Sequence, residues 1–228
     1  MKKGTNIALI IAAGKGTRME KNIPKQFIKI KNKPIIIYTL ECFQNHPDID
    51  DIVVVCLNGW ENVLEKYAKK FKITKLKYIV IGGETRFQSL IYGVKKAQEI
   101  DKNSIIISHD GVRPFVSQKI ITSSLEKIKS YDATTVSIPA IDTMVIVKND
   151  IETKILNREY LYSDQGPQTF RVKEFFKILD NDNYTTVGEL YVKKGLKVGV
   201  IEGDRYNFKV THSIDLEFAE FLVKKGLK

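Results

Sequence analysis

The chain has 228 residues, of which 43% are apolar and 10% aromatic, and 37 Lys and Arg against 27 Asp and Glu give a formal charge of +10. That length and apolar share suit one folded domain with a sizeable core, spanning 1–228, and no apolar run approaches the ~20 residues needed to cross a bilayer. The basic excess raises the question of a nucleic-acid partner.

Taken in order, Ile7 to Ile11 is an apolar run of strand length that breaks into Ala12, Ala13, Gly14, Lys15, Gly16 and Thr17. Pro34 then precedes a helical pattern over 35–45, because a proline near a helix start forfeits no hydrogen bond. The β-branched run 52–57 predicts a strand, 61–71 a helix, and 77–81 a third strand ended by Gly82 and Gly83. A long helix follows over 85–100, then a strand over 104–108 ended by His109, Asp110 and Gly111. Ser117 is placed to cap a helix running to about Tyr131. Continuous apolar strands separated by helices predict a doubly wound α/β fold with a mostly parallel sheet, in which ligands gather at the carboxyl ends of strands.

The rhythm changes after Thr134. Residues 134–138 read as a strand, but 139–168 holds no good helix. Within it, 143–148, a turn at Asn149-Asp150 and 153–156 read as a hairpin, an arm for a partner subunit or a lid. Helices are expected over 172–179 and 188–194, a strand over 197–201, and a closing helix over 214–225 capped by Ser213.

The lysines answer the nucleic-acid question. They are scattered, and their densest groups, Lys69-Lys70-Phe71-Lys72 and Lys29-Ile30-Lys31-Asn32-Lys33, are short and interrupted. Trp60 is the single tryptophan, and no interleaving of aromatic and basic residues marks a stacking platform. An anionic small molecule is the expected partner, with no nucleic acid. Cys42 and Cys56 fall in a helix and a buried strand, which suits reduced thiols. The Met1-Lys2-Lys3 start is too short for the charged region of a signal peptide. A cytoplasmic location is therefore expected.

The glycine loop fits neither of two better-known phosphate loops. No G-x-x-x-x-G-K-[ST] string occurs, and Gly14-x-Gly16 lacks the third small residue of the dinucleotide fingerprint. What remains, A-A-G-x-G-T-R-M followed by P-K-Q, still suits a phosphate chain. Gly14 and Gly16 let backbone N–H groups approach anionic oxygens. Arg18 offers a fork for phosphate oxygens and Lys25 a mobile point charge, which suits a reaction that builds charge on phosphorus.

The string Ala12-Ala13-Gly14-Lys15-Gly16-Thr17-Arg18-Met19, with Pro24-Lys25-Gln26, resembles the signature of nucleotidyltransferases that attach CTP to sugar-alcohol phosphates. The resemblance recurs at Gly82 to Ser89, His109 to Pro114, Asp142-Thr143, Pro167-Gln168 and Asn207 to Thr211. It implies a Rossmann-like nucleotidyltransferase fold and CTP as the donor. Arg18 and Lys25 would stabilise the transition state, while Ile11, Ala12, Ala13, Gly14, Lys15, Gly16, Gly82, Gly83, Glu84, Thr85, Arg86 and Ser89 would bind CTP. For the acceptor it implies Asp110, Arg113, Thr143, Arg158, Thr185 and Lys209. It implies Mg²⁺ held mostly by phosphates, with Asp110 as the protein carboxylate facing it. It also implies a homodimer in which Arg158 reaches the partner's site on the arm, about 139–168.

Two enzyme groups share these motifs: the ribitol 5-phosphate and the 2-C-methyl-D-erythritol 4-phosphate cytidylyltransferases. His109 to Phe115 and Asp164 to Phe170 look closer to the ribitol group. Thr186 departs from both, which usually carry an aspartate there. A polyol phosphate such as ribitol 5-phosphate is the favoured acceptor, with methylerythritol phosphate as the alternative. A module that binds CTP without turnover is the alternative of another class; the presence of Arg18, Lys25, Asp110 and Lys209 argues against it.

Overall fold

The structure, a computed structural model, describes residues 4–14 and 23–226. Its centre is a seven-stranded sheet in the order β11-β7-β10-β6-β1-β4-β5. The strands are β1 (Asn6–Ala12), β4 (Asp51–Cys56), β5 (Leu76–Ile81), β6 (Ile105–Asp110), β7 (Ala133–Pro139), β10 (Tyr162–Arg171) and β11 (Val198–Glu202). Neighbours pair in parallel, apart from β10, which runs antiparallel to both β6 and β7. The expected doubly wound, mostly parallel α/β arrangement is what the chain forms.

Side chains alternate across the central strands, so each strand feeds two cores. On one face Ala8, Ile10, Ile52 and Val54 pack under α1 (Ile35–Gln44), α2 (Glu61–Lys70) and α4 (Gln118–Lys127) through Leu40, Phe43, Leu64 and Ile121. On the other face Ile7, Leu9, Val53 and Val55 meet α3 (Arg86–Ile100), α5 (Val172–Ile178) and α6 (Val187–Lys193) through Leu90, Val94, Phe175 and Tyr191. Each such fully buried aliphatic side chain is worth about 1.5–3 kcal/mol of transfer free energy. Burial on both faces explains why the strands read as continuous apolar runs and not as alternating ones. Among the described residues no helix is long and apolar enough to cross a membrane.

Four parts of the fold differ from the sequence reading, the first being β10, a strand over residues to which the sequence reading assigned none. The short ribbon of β2 (Lys29–Ile30) and β3 (Lys33–Pro34) carries too little pattern to be predicted; its turn holds Lys31 and Asn32 at φ 45° and 67°. Helix α4 stops at Lys127, and the chain continues in tighter turns, with Lys129 N–H donating to the Glu126 carbonyl and Ser130 N–H to that of Lys127. Ser213 is the first residue of α7 (Ser213–Lys224), and its cap is His212. There Asp215 Oδ2 accepts from the Thr211 and His212 N–H groups, both at 2.8 Å.

The predicted hairpin is present as β8 (Val145–Lys148) and β9 (Ile151–Ile155), a two-stranded sheet separate from the main one. Asn149 and Asp150 take φ 50° and 63°, the geometry that a two-residue hairpin turn requires and that Asn and Asp tolerate. Every residue of both strands is exposed.

Candidate functional site

The carboxyl ends of β1, β5 and β6 open into one cleft of about 260 Å³. Its walls are Ile11 to Gly14, Lys25 and Gln26, Gly83 to Arg86, Ser89, Asp110, Val112 and Lys209. Three glycine-bearing or acidic strand ends, far apart in sequence, therefore meet at one place. Lys15, Gly16 and Arg18 lie outside the described residues.

Lys25 enters the cleft from a one-turn 3-10 helix, Lys25–Phe27, and is only 9% exposed. Phe27 anchors that turn by stacking on Trp60 at 4.6 Å between ring centroids. Gln26, buried beneath the loop, donates through Nε2 to the carbonyls of Ala12 at 2.7 Å and Gly14 at 3.1 Å. Gln26 stands in the P-K-Q string, but nothing in the string shows that its amide reaches back to β1.

The second wall is the turn from β5 to α3. Gly82 lies so close to the loop after β1 that a Cβ on it would sit 2.2 Å from the Ala13 Cβ, so only glycine allows this approach. Gly83 N–H donates to Ser89 Oγ at 3.0 Å, and Glu84 N–H to Gln88 Oε1 at 2.7 Å. Thr85 caps α3 by accepting from Gln88 N–H at 3.0 Å. The α3 N-terminus thereby holds the turn in one shape.

Asp110 is the keystone between the two halves. Its Oδ1 accepts from Arg86 Nη2 at 3.2 Å and Nε at 3.3 Å. Its Oδ2 pairs with Lys209 Nζ at 3.0 Å and Arg113 Nε at 3.4 Å. Burial pushes the Asp110 carboxyl up, but the charges of Arg86, Lys209 and Arg113 outweigh that and hold it well below the usual carboxylate range. One carboxylate thus organises three cations brought from α3, the loop after β6 and the segment before α7, leaving the cluster net positive.

Beyond this wall lies a second cleft of about 250 Å³ that shares Arg86, Asp110 and Lys209 with the first. It is lined further by Ser108, His109, Arg113, Asp164, Gln165, Gly166, Gln168, Thr185 and Thr186. Gln168 braces it, with Nε2 donating to Asp164 Oδ2 at 2.9 Å and Oε1 accepting from Val187 N–H at 3.1 Å. Thr186 caps α6 by accepting from Glu189 N–H at 3.0 Å. A threonine there fills the capping role open to an aspartate without adding a charge.

Two of the expected acceptor residues are not brought to this cleft within the chain. Thr143 is an exposed residue at the foot of the hairpin. Arg158 follows β9 in a one-turn helix, is exposed, and donates through Nη1 to the Ile141 carbonyl at 2.6 Å.

His109 has the surroundings of a packed, neutral ring. It is 1% exposed, with Nε2 3.1 Å from the Arg113 carbonyl, and burial drives its pKa down to about 4. Among the described residues no group of three or more His, Cys, Asp or Glu comes together to hold a metal.

Residues 6–225 match the family model described as IspD: 2-C-methyl-D-erythritol 4-phosphate cytidylyltransferase. Over 219 residues the chain is 39% identical to a ribitol-5-phosphate cytidylyltransferase of Vibrio parahaemolyticus, covering 92% of each chain. Over 230 residues it is 39% identical to a 2-C-methyl-D-erythritol 4-phosphate cytidylyltransferase of Clostridium tetani, covering 98% of this chain and 92% of that one. Its structure is similar to the crystal structure of a 4-diphosphocytidyl-2C-methyl-D-erythritol synthase from Anaerococcus prevotii, with TM-score 0.80 and 26% identity over 97% of this chain and 96% of that one. Equal identity to relatives named for different acceptors leaves the choice between them to the cleft.

Proposed function

The chain belongs to the IspD family of CTP-dependent cytidylyltransferases, and from that premise we propose that it transfers CMP from CTP to D-ribitol 5-phosphate, giving CDP-ribitol and pyrophosphate. The observation that carries this acceptor is the lining of the second cleft, where every residue is polar, charged or glycine. A linear polyol offers hydroxyls to such a wall.

In this reading CTP occupies the first cleft, its base and ribose against the Gly82 turn and its triphosphate along residues 12–14. The acceptor lies in the second cleft, its phosphate drawn by Lys209 and Arg113. An oxygen of that phosphate attacks the α-phosphorus of CTP in line. The new P–O bond forms as the bond to the β-phosphate oxygen breaks, and pyrophosphate leaves with the electron pair. No protein nucleophile is needed, so catalysis is positioning and charge stabilisation. Lys25, fixed by its anchored turn, meets the developing charge without reorganisation, with Arg18 as its proposed partner.

A Mg²⁺ ion would be held chiefly by the phosphate oxygens, since the Asp110 oxygens already face three cations. One carboxylate beside a triphosphate fits the habit of Mg²⁺, which favours substrate phosphates over an all-protein cage. When bound, it would neutralise triphosphate charge.

The exposed hairpin supports a homodimer. Val147, Ile151 and Ile155 are 56%, 65% and 64% exposed, an apolar surface that a second copy would cover. Arg158 at its base would then reach the partner's acceptor cleft.

Pyrophosphate release with CTP and Mg²⁺, compared across ribitol 5-phosphate, 2-C-methyl-D-erythritol 4-phosphate and glycerol 3-phosphate, tests the acceptor. Ribitol 5-phosphate is expected to give the highest kcat/KM. A higher value for the methylerythritol phosphate overturns the choice, and no release with any acceptor points to binding alone.

A further inference from the structure

We propose that Gln26 is a positioning residue for CTP, whose side-chain amide holds the Ala12 and Gly14 carbonyls so that the loop presents N–H groups, and not carbonyl oxygens, to the triphosphate. The inference rests on the placement of the triphosphate along residues 12–14 set out above.

Gln26 is 1% exposed, yet its single NH₂ group serves two backbone oxygens, at 2.7 Å and 3.1 Å. Those oxygens belong to the residues on either side of Ala13, where β1 ends and the nucleotide loop begins. A carbonyl turned into the cleft would set its negative end against a phosphate oxygen. Binding both carbonyls from below removes that repulsion and fixes the peptide planes, which is how consecutive N–H groups form an anion-binding concavity.

The same side chain couples the loop to the catalytic cation. Gln26 is the central residue of the turn that begins with Lys25, and the stack of Phe27 on Trp60 fixes the turn's far end. A shift of the Gln26 amide would therefore move the backbone N–H groups and the Lys25 ammonium together. Another buried group of similar size could fill this space, but none without two N–H donors could hold both carbonyls.

Two variants test the role. Gln26→Met keeps the volume and removes both donors. Two hydrogen bonds of ordinary net strength correspond to a fall in kcat/KM for CTP of about ten- to a hundredfold. The acceptor KM is expected to stay within about twofold, because the second cleft does not touch this amide. Gln26→Glu loses the donors when ionised and regains one O–H when protonated. Burial next to two carbonyl oxygens raises the new carboxyl toward neutral pH, so kcat/KM for CTP relative to the unaltered enzyme is expected to rise as pH is lowered from 8 to 6 while the acceptor KM ratio stays flat. A buried charge that merely loosened the packing would move both substrates together.

A Met variant with CTP kinetics within about twofold of the parent, or with equal losses for both substrates, overturns the proposal. If the Met variant does not fold, a flat pH ratio for Gln26→Glu overturns it instead. Lys25→Ala is the control for the site itself. If that change also leaves CTP kinetics intact, the placement of the triphosphate fails, whereas a defect in Lys25→Ala alone refutes only the role of Gln26.

Discussion

Lys209 Nζ lies 3.0 Å from Asp110 Oδ2, which ties the segment before α7 to the end of β6 at the wall shared by the two clefts. Asp110→Asn keeps the side chain's shape but leaves Arg86, Arg113 and Lys209 to repel one another. Arg86 and Lys209 are each more than a third exposed, so water screens part of the loss and the cost stays below the ~3–5 kcal/mol of a fully buried pair. A lower Tm and a loss of turnover are still expected together. The pH dependence has a definite sign. The Asp110 carboxyl is held below its unfolded pKa, so its stabilisation is full above about pH 4 and is lost as pH falls through the depressed native value. Melting curves from pH 3 to 7 should show less acid sensitivity in the variant than in the parent on that account.

His109 gives a separate acid limb. Its pKa is about 4 in the folded chain, against about 6.5 when unfolded. The unfolded chain therefore binds the extra proton first. Stability from the neutral ring is complete above about pH 6.5 and declines as pH falls toward 4. His109→Gln is expected to flatten Tm against pH across that window while leaving the pH–rate profile above pH 7 unchanged. A changed rate profile there would mean that the ring takes part in catalysis.

Lys25→Ala is expected to lower kcat by roughly two to four powers of ten, as for loss of a preorganised cation, with a smaller change in the KM for CTP. Turnover close to that of the parent would remove Lys25 from the transition state.

The hairpin makes a prediction about mixed dimers. Arg158→Ala and Lys209→Ala should each raise the KM for the acceptor. If Arg158 acts across the interface, mixing the two variants after dissociation creates dimers with one intact site. Activity should then recover to about a quarter of the parent value, since about half the dimers are mixed and each has one of two sites repaired. No recovery on mixing places Arg158 in its own chain's site or in neither.

Gly82→Ala tests the close approach of the turn after β5 to Ala13, just past the end of β1. Its Cβ would lie 2.2 Å from the Ala13 Cβ and 3.0 Å from Ser89 Oγ. The loop must move aside, so the KM for CTP should rise by about tenfold or more. Unchanged binding would show that the base does not lean on this turn.

The least legible part of the fold was β10. Its sequence, YSDQGPQTFR, holds Gly166-Pro167, and a proline argues against a central strand. Yet the strand lies between β7 and β6. The pairing with β7 shifts register between Asp164 and Gln168, so the proline falls in an irregularity where no ladder donor is required. A register shift belongs to two strands at once, and no single segment displays it.

The helices were more legible because their signals are local. Thr85 sits at the predicted start of α3, and Ser117 accepts from Ile120 N–H at 3.2 Å as an N-cap should. At α7, Ser213 competed with His212 for the cap. Asp215, reaching back to two N–H groups, fixed the boundary.

The sequence by itself determined the parallel framework, the loop chemistry and the family. Apolar period, caps and ordered motifs are properties of short stretches, and a chain displays them before it folds. Only the tertiary structure decided that Asp110 gathers Arg86, Arg113 and Lys209, that Gln26 grips the carbonyls of Ala12 and Gly14, and that Arg158 stands away from the second cleft of its own chain. Each of these is a distance between residues on separate elements. Such distances are set by how the sheet orders its strands, which no local pattern records.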